Sequence, residues 1–141
     1  MVLDPSIFKD YDIRAIVPKD LDEVGIVRLT QAIVNYFKPQ SVQLGRDMRL
    51  SGDQFHQAMI NTFLACGVDV VDLGLIATDM LYFASGTGNE DMNITLSASH
   101  NPSEYNGLKM VTKGAIPISG NTGIYAIRDL ALSKTDLTPK N

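Results

Sequence analysis

Three times between residues 20 and 96, an apolar pattern of helical period gives way within a few residues to a short β-rich run. In the first round Ile26, Leu29, Ile33, Tyr36 and Phe37 recur at three- and four-residue steps. That spacing predicts a helix over about 21 to 38 with one buried face, capped by Asp20 with Glu23 three positions on and ended by Lys38-Pro39. A strand over Val42 to Leu44 follows. In the second round Ser51 and Gln54 read as a capping box, Phe55, Met59, Phe63 and Cys66 as an inner face, and Gly67 as a left-handed terminator. Val68 to Leu73 is the strand it leads to. In the third, Thr78 is placed to cap a shorter helix through Met80, Leu81 and Phe83 to the breaker at Ser85 to Gly88, and Met92 to Leu96 is the strand.

Helices and strands in alternation call for a sheet covered by helices, because each element buries a single face against its neighbours. A further strand, Leu108 to Val111, follows Asn106-Gly107 too soon for a crossover helix, so one antiparallel pair is expected. Ile124, Ile127 and Leu130 give a last helix over 121 to 132, and the polar stretch 133 to 141 is expected to fray. The chain, 141 residues with 45% apolar composition, is long enough to bury a core. The expected architecture is one domain over 1 to 141: a three-layer α/β/α sandwich with a mixed sheet.

Ser97-Ala98-Ser99-His100-Asn101-Pro102 lies just past the predicted strand ending at Leu96. Loops at strand ends are where α/β folds present reactive groups to a crevice. Ser99 offers a hydroxyl, and His100 can move a proton near neutral pH. Asn101 can donate to phosphate oxygens, and Pro102 stiffens the turn. Taken alone, Ser-His-Asn-Pro equally well satisfies a turn.

The wider context resembles a known family. The loop, followed by Glu104-Tyr105-Asn106-Gly107-Leu108-Lys109, is similar to the active-site serine loop of the α-D-phosphohexomutases. The likeness continues in Asp10-Tyr11-Asp12-Ile13-Arg14, Gly45-Arg46-Asp47-Met48-Arg49 and Gly114 to Gly120, in the same order. Within that family the motifs resemble phosphomannomutase/phosphoglucomutase more than phosphoglucosamine mutase. Ser97 stands where threonine is common, and Ala15 where glycine is common.

The resemblance implies that Ser99 carries a phosphoryl group and exchanges it with a mannose or glucose 1- or 6-phosphate through a bisphosphate. It implies cations near the serine, for which Arg14 and Lys109 are the candidates, with Lys109 the favoured proton handler and His100 a second candidate for that work. Arg46 and Arg49 either pair with Asp47 or support the serine loop. Mg²⁺ is implied as cofactor, with a phosphate oxygen on Ser99 as one ligand. Its carboxylate ligands belong to an Asp-Gly-Asp-Gly-Asp-Arg loop of the second of four domains, and this chain contains no Asp-Gly-Asp. The remaining domains of the same enzyme are therefore expected partners, and the chain alone is not expected to turn over.

A net charge of −4 and a pI near 5.0 offer no general basic field for nucleic acid or an anionic membrane. Cys66 is the only cysteine, which excludes an intrachain disulfide and suits a reducing compartment. Met1 to Lys9 lack the apolar run of a secretory signal, and no stretch has the length of a membrane span, so the cytoplasm is the expected location. His56 is expected to be structural or exposed, and Cys66 to behave as a small buried hydrophobe. The competing reading is a stand-alone binding or regulatory module of the same fold. A serine hydrolase is disfavoured by the lack of a Gly-x-Ser-x-Gly elbow.

Overall fold

The computed structural model describes residues 1–139. The elements run β1 (Ile13–Ile16), α1 (Glu23–Phe37), β2 (Ser41–Arg46), α2 (Gly52–Ala65), β3 (Asp69–Leu75) and α3 (Thr78–Thr87). They continue with β4 (Met92–Leu96), β5 (Tyr105–Thr112), β6 (Ile116–Pro117) and α4 (Tyr125–Leu132). The sheet order is β1-β5-β4-β2-β3, with β6 on β5. β2 runs parallel to β3 and β4, whereas β5 runs antiparallel to β1, β4 and β6. The expected mixed sheet is present, and β4 is the strand where the two regimes meet.

Period-two alternation sorts the side chains between the faces. Val42, Leu44, Ile94, Leu96, Leu108, Ile13 and Ala15 point to one face, where Ile26, Leu29 and Ile33 of α1 and Phe55, Met59 and Phe63 of α2 bury against them. Gln43, Asn93 and Thr95 point to the other, beneath α3. There Asn93 donates to Ser85 Oγ at 2.8 Å, and Ser85 donates to Thr112 O at 3.0 Å. α3 is short and covers only part of this face, which leaves the end nearest the loop after β4 open.

Several boundaries differ from the sequence reading. α1 is capped by Asp22, which accepts from Gly25 N at 2.7 Å, because Asp20 is spent on Ile16 N at 3.0 Å. Ser51 stands at the head of α2 in a helical conformation, so its hydroxyl makes no cap and instead accepts from Asn106 Nδ2 at 2.8 Å. Ala77, not Thr78, occupies the cap position of α3. The helix expected from 121 opens as a π-helical turn over Gly120–Ile124 before α4 begins. β1 and β6 are too short to show a periodicity and were not foreseen. Gly67 does end the second helix with a positive φ of 75°.

The tail was expected to fray from 133. Instead Arg28 of α1 donates to Ala131 O, Ser133 O and Thr135 O at 3.1, 2.9 and 2.8 Å, capping α4 and holding the strand-like exit. Leu137 is buried, with its carbonyl accepting from Asn35 at 3.3 Å. Residues 140 and 141 lie outside the described residues. His56 is buried, with Nε2 at 3.2 Å from Asp72 Oδ1. Cys66 is partly buried against the core, and burial pushes its thiol up.

Gly107 decides how closely β1 can approach β5. A Cβ there would collide with the Ile13 carbonyl and press on Ser97 O at 3.1 Å. Gly107→Ala is expected to cost about 2–3 kcal/mol, the upper range for overpacking, because backbone rather than a flexible side chain must yield. Chemical denaturation checks this, and a change under about 0.5 kcal/mol, the scatter of neutral surface substitutions, would contradict it.

Candidate active site

Ser99 sits three residues past the end of the buried strand β4 and is exposed, with φ of 56°. A non-glycine residue in the left-handed region costs about 1–2 kcal/mol, so the surroundings must hold it there. They do so from three sides. Ser97 N donates to Gly107 O at 2.9 Å, and Ser99 N donates to Ser97 Oγ at 3.1 Å. Asn101 N and Nδ2 both donate to Ala98 O, at 3.1 and 2.8 Å.

The third and strongest hold is Arg49, whose side chain is only 6% exposed. Its Nη1 donates to Pro102 O and Tyr105 O at 2.7 and 2.9 Å. Its Nη2 donates to Ser99 O and Asn101 O at 2.7 and 2.9 Å. Nε donates to Asp47 Oδ2 at 3.2 Å, which orients the fork. One planar guanidinium thus collects four carbonyls of the serine loop, a task matched to its rigid array of donors. Both roles weighed for Arg49, the ion pair with Asp47 and support of the loop, are fulfilled at once.

Arg46 takes neither role at the loop. It turns to Asp53 in the first turn of α2 and pairs with it there. Asn101 spends one amide proton inside the loop on Ala98 O, making it first of all a fastener of the turn.

The Ser99 hydroxyl lies 3.2 Å from His100 Nδ1, a hydrogen bond in either direction according to the tautomer. Both residues line a groove of about 610 Å³ together with Leu75 at the end of β3, Ile76, and Met80 in the first turn of α3. Lys109 is not on an edge strand: β5 lies between β1 and β4, with Lys109 opposite Thr95. Arg14 pairs opposite Gly107, placing its side chain on the face that Lys109 shares. The charged ends of both rest on Asp12: Arg14 Nε and Nη2 at 2.9 and 2.8 Å, Lys109 Nζ at 3.4 Å, all to Oδ2.

These residues form two clusters, Ser99-His100-Asn101-Arg49 and Asp12-Arg14-Lys109; Ser99 and His100 line the groove, and Arg14 and Lys109 are not among its lining residues. They are joined laterally, since the Gly107 opposite Arg14 is the residue whose carbonyl holds Ser97. Asp12 and Asp47 were missed as site residues. The signal for both was an acid two positions before an arginine, Asp-x-Arg: at Asp12 extended backbone turns both side chains to the same side, and at Asp47 a bend at Met48 brings them together, with Arg49 N donating to Asp47 Oδ1 at 3.2 Å. Elsewhere, Gly120 N donates to Asp10 O at 2.7 Å, and the Tyr125 hydroxyl donates to the Asp10 carboxylate, a hydrogen bond that pushes the phenol up.

Among the described residues, no three His, Cys, Asp or Glu side chains gather as a metal site. The Asp47 carboxylate is engaged by Arg49 and that of Asp12 by two cations. These residues do not by themselves fit a Mg²⁺ ion. No helix among the described residues is long and apolar enough to cross a membrane.

Residues 5–136 match the family model described as phosphoglucomutase/phosphomannomutase, alpha/beta/alpha domain I. The chain belongs to this family. It is 41% identical over 134 residues to the phosphomannomutase of Salmonella typhimurium, covering 95% of this chain and 29% of that protein. With a Klebsiella pneumoniae phosphomannomutase it shares 40% over 124 residues, 88% of this chain and 79% of the relative. Its fold superposes on a phosphoglucomutase/phosphomannomutase family protein of Burkholderia thailandensis with a TM-score of 0.77 at 37% identity, over 93% of this chain and 31% of the other. The chain thus spans about 29% of the length of the first of these relatives. The three-layer sandwich is the domain I architecture of the phosphoglucomutase/phosphomannomutase family, as the sequence motifs implied.

Proposed function

We propose that the chain is the phosphoserine-bearing domain of a phosphomannomutase/phosphoglucomutase, in which Ser99 shuttles a phosphoryl group between the 1- and 6-positions of a hexose phosphate. The observation that carries this reading is the strained, exposed Ser99 at the end of β4, with its hydroxyl on His100 and its loop tied down by Arg49. A serine held at a conformational cost, in a rigid turn with its oxygen outward, suits a carrier better than a spacer.

In the forward step the bond between phosphorus and Ser99 Oγ breaks as phosphorus bonds to a sugar hydroxyl. The hydroxyl's proton passes to neutral His100, and Oγ regains a proton from the Lys109 ammonium as it leaves, so one residue is base and the other acid. The return step, from the reoriented bisphosphate, reverses these changes at the other sugar oxygen. Phosphoryl transfer rests on positioning and on countering negative charge, the part assigned to Arg14 and Lys109. Asn101 and Arg49 keep the loop in register.

Mg²⁺, when bound, would offset charge on the phosphate. This chain would lend it one oxygen, on the phosphate of Ser99, and its remaining ligands lie in further domains. The same domains would cover the apolar surface beside the groove, where Met48, Leu75, Met80 and Phe83 are exposed, Met48 by 83%. This reading makes residues 1 to 141 a single domain, the first of the enzyme.

The test is labelling of the full-length polypeptide with a hexose 1,6-bisphosphate carrying labelled phosphate. Peptide mapping is expected to find the label on Ser99, as an adduct of about 80 Da. Label on another residue, or no label in a preparation that turns over, overturns the assignment.

A further inference from the structure

The Asp12 carboxylate is the hub of the cationic cluster, and nothing in the proposed chemistry uses it. We infer that Asp12 is a positioning residue for phosphoryl transfer at Ser99, fixing Arg14 and Lys109 as one preorganised unit. This inference rests on the reading of Ser99 as the carrier.

Three observations carry it. First, Asp12 is placed by backbone: Lys9 N donates to Asp12 O at 2.9 Å, and Phe8 bridges Ile13 beside it. Second, the antiparallel register Ile13↔Leu108 and Arg14↔Gly107, continued by one step, sets Asp12 opposite Lys109. A cross-strand pair of opposite charge meets a same-strand pair on one oxygen, and Gly107 leaves no side chain between them. Third, the Asp12 side chain is 8% exposed, while those of Lys109 and Arg14 are 25% and 33% exposed. The anion is inside and the cations face outward, leaving one net positive charge on the open face.

Without Asp12 the two cations would repel each other and lose their common anchor. Ground-state attraction for a phosphate would persist, because both cations remain. What would be lost is their fixed geometry, which costs no reorganisation at the moment charge develops. The effect should therefore fall on kcat more than on KM.

The test measures kcat and KM for hexose phosphate interconversion by the full-length enzyme. Asp12→Asn is expected to lower kcat on the order of 10- to 100-fold, the scale of a misplaced catalytic group. KM should change less than about threefold under the same reasoning. In the Arg14→Ala/Lys109→Ala background the same substitution should change kcat less than about twofold, because it has nothing left to position. Asp12→Glu keeps the charge and moves it by one methylene. It is expected to fold and to show a smaller kcat loss with KM held, and it decides the matter if Asp12→Asn unfolds.

Unchanged kcat in either variant, or a full Asp12→Asn loss in the doubly substituted background, would overturn the inference. Ser99→Ala separates the two levels. If it retains turnover, the carrier reading itself fails; if it is inactive while the Asp12 variants match wild type, only the role of Asp12 falls.

Discussion

Ser99→Gly is expected to yield a protein more stable than Ser99→Ala by about 1 kcal/mol, yet equally unable to transfer phosphate, with turnover down more than about 10³-fold in both. The reason lies in one dihedral angle. At φ of 56° a Cβ is unfavourable and glycine is not, so glycine relieves what alanine retains. Both substitutions remove the oxygen that meets His100 Nδ1. Thermal or denaturant unfolding of the two variants, with turnover measured on the full-length polypeptide, checks both halves. Equal stabilities would show that the loop relaxes without cost. Turnover surviving in either variant would show that the phosphate travels on another group.

Arg49→Ala should lower stability by about 3 kcal/mol, near the cost of breaking a buried charge pair, and turnover on the order of 100-fold. The guanidinium is shared among four carbonyls contributed by Ser99, Asn101, Pro102 and Tyr105, so its loss frees the whole loop rather than one bond. It also strips Asp47 of its ionic partner. Arg49→Lys keeps the charge but cannot reach four acceptors from one plane, so it should recover less than about tenfold of the lost rate. A variant Arg49→Ala within about 1 kcal/mol of wild type, with normal kcat, would remove Arg49 from the account of how Ser99 is held.

The sequence made the layers legible because the core is built on period. The three- and four-residue steps of α1 and α2 and the β-rich runs of β2 and β4 bury most of what their spacing predicts, whereas Tyr36 at the end of α1 is exposed and the edge strand β3 has no fully buried residue. It was less informative wherever a side chain had a choice of partners. Asp20 and Asp22 are both plausible caps, and only the position of Ile16 N decides between them. Arg46 and Arg49 look alike in Gly-Arg-Asp-Met-Arg, yet one pairs with α2 and the other with the serine loop.

The tail was misread for a related reason. Composition marks Ser133 to Thr138 as polar, but burial of Leu137 and the reach of Arg28 across from α1 depend on pairs about a hundred residues apart. The Ser99 loop was located from its motif; the pairing of Asp12 with Arg14 is visible as Asp-x-Arg, while its contact with Lys109 depends on two strands that only the fold aligns.

The partner of β1 is β5, so Ile13 meets Leu108 only after nearly all of the intervening chain has been made. At translation speeds of about 5–20 residues per second, Arg14 leaves the ribosome seconds before any surface exists to receive it. The strands of the parallel half, β2 to β4, all precede β5 in the chain, whereas β6 and α4 follow it. A nascent chain stopped short of β5 lacks Lys109 and the strand on which Asp12 and Arg14 are aligned, so the charge arrangement can form only once synthesis has passed β5.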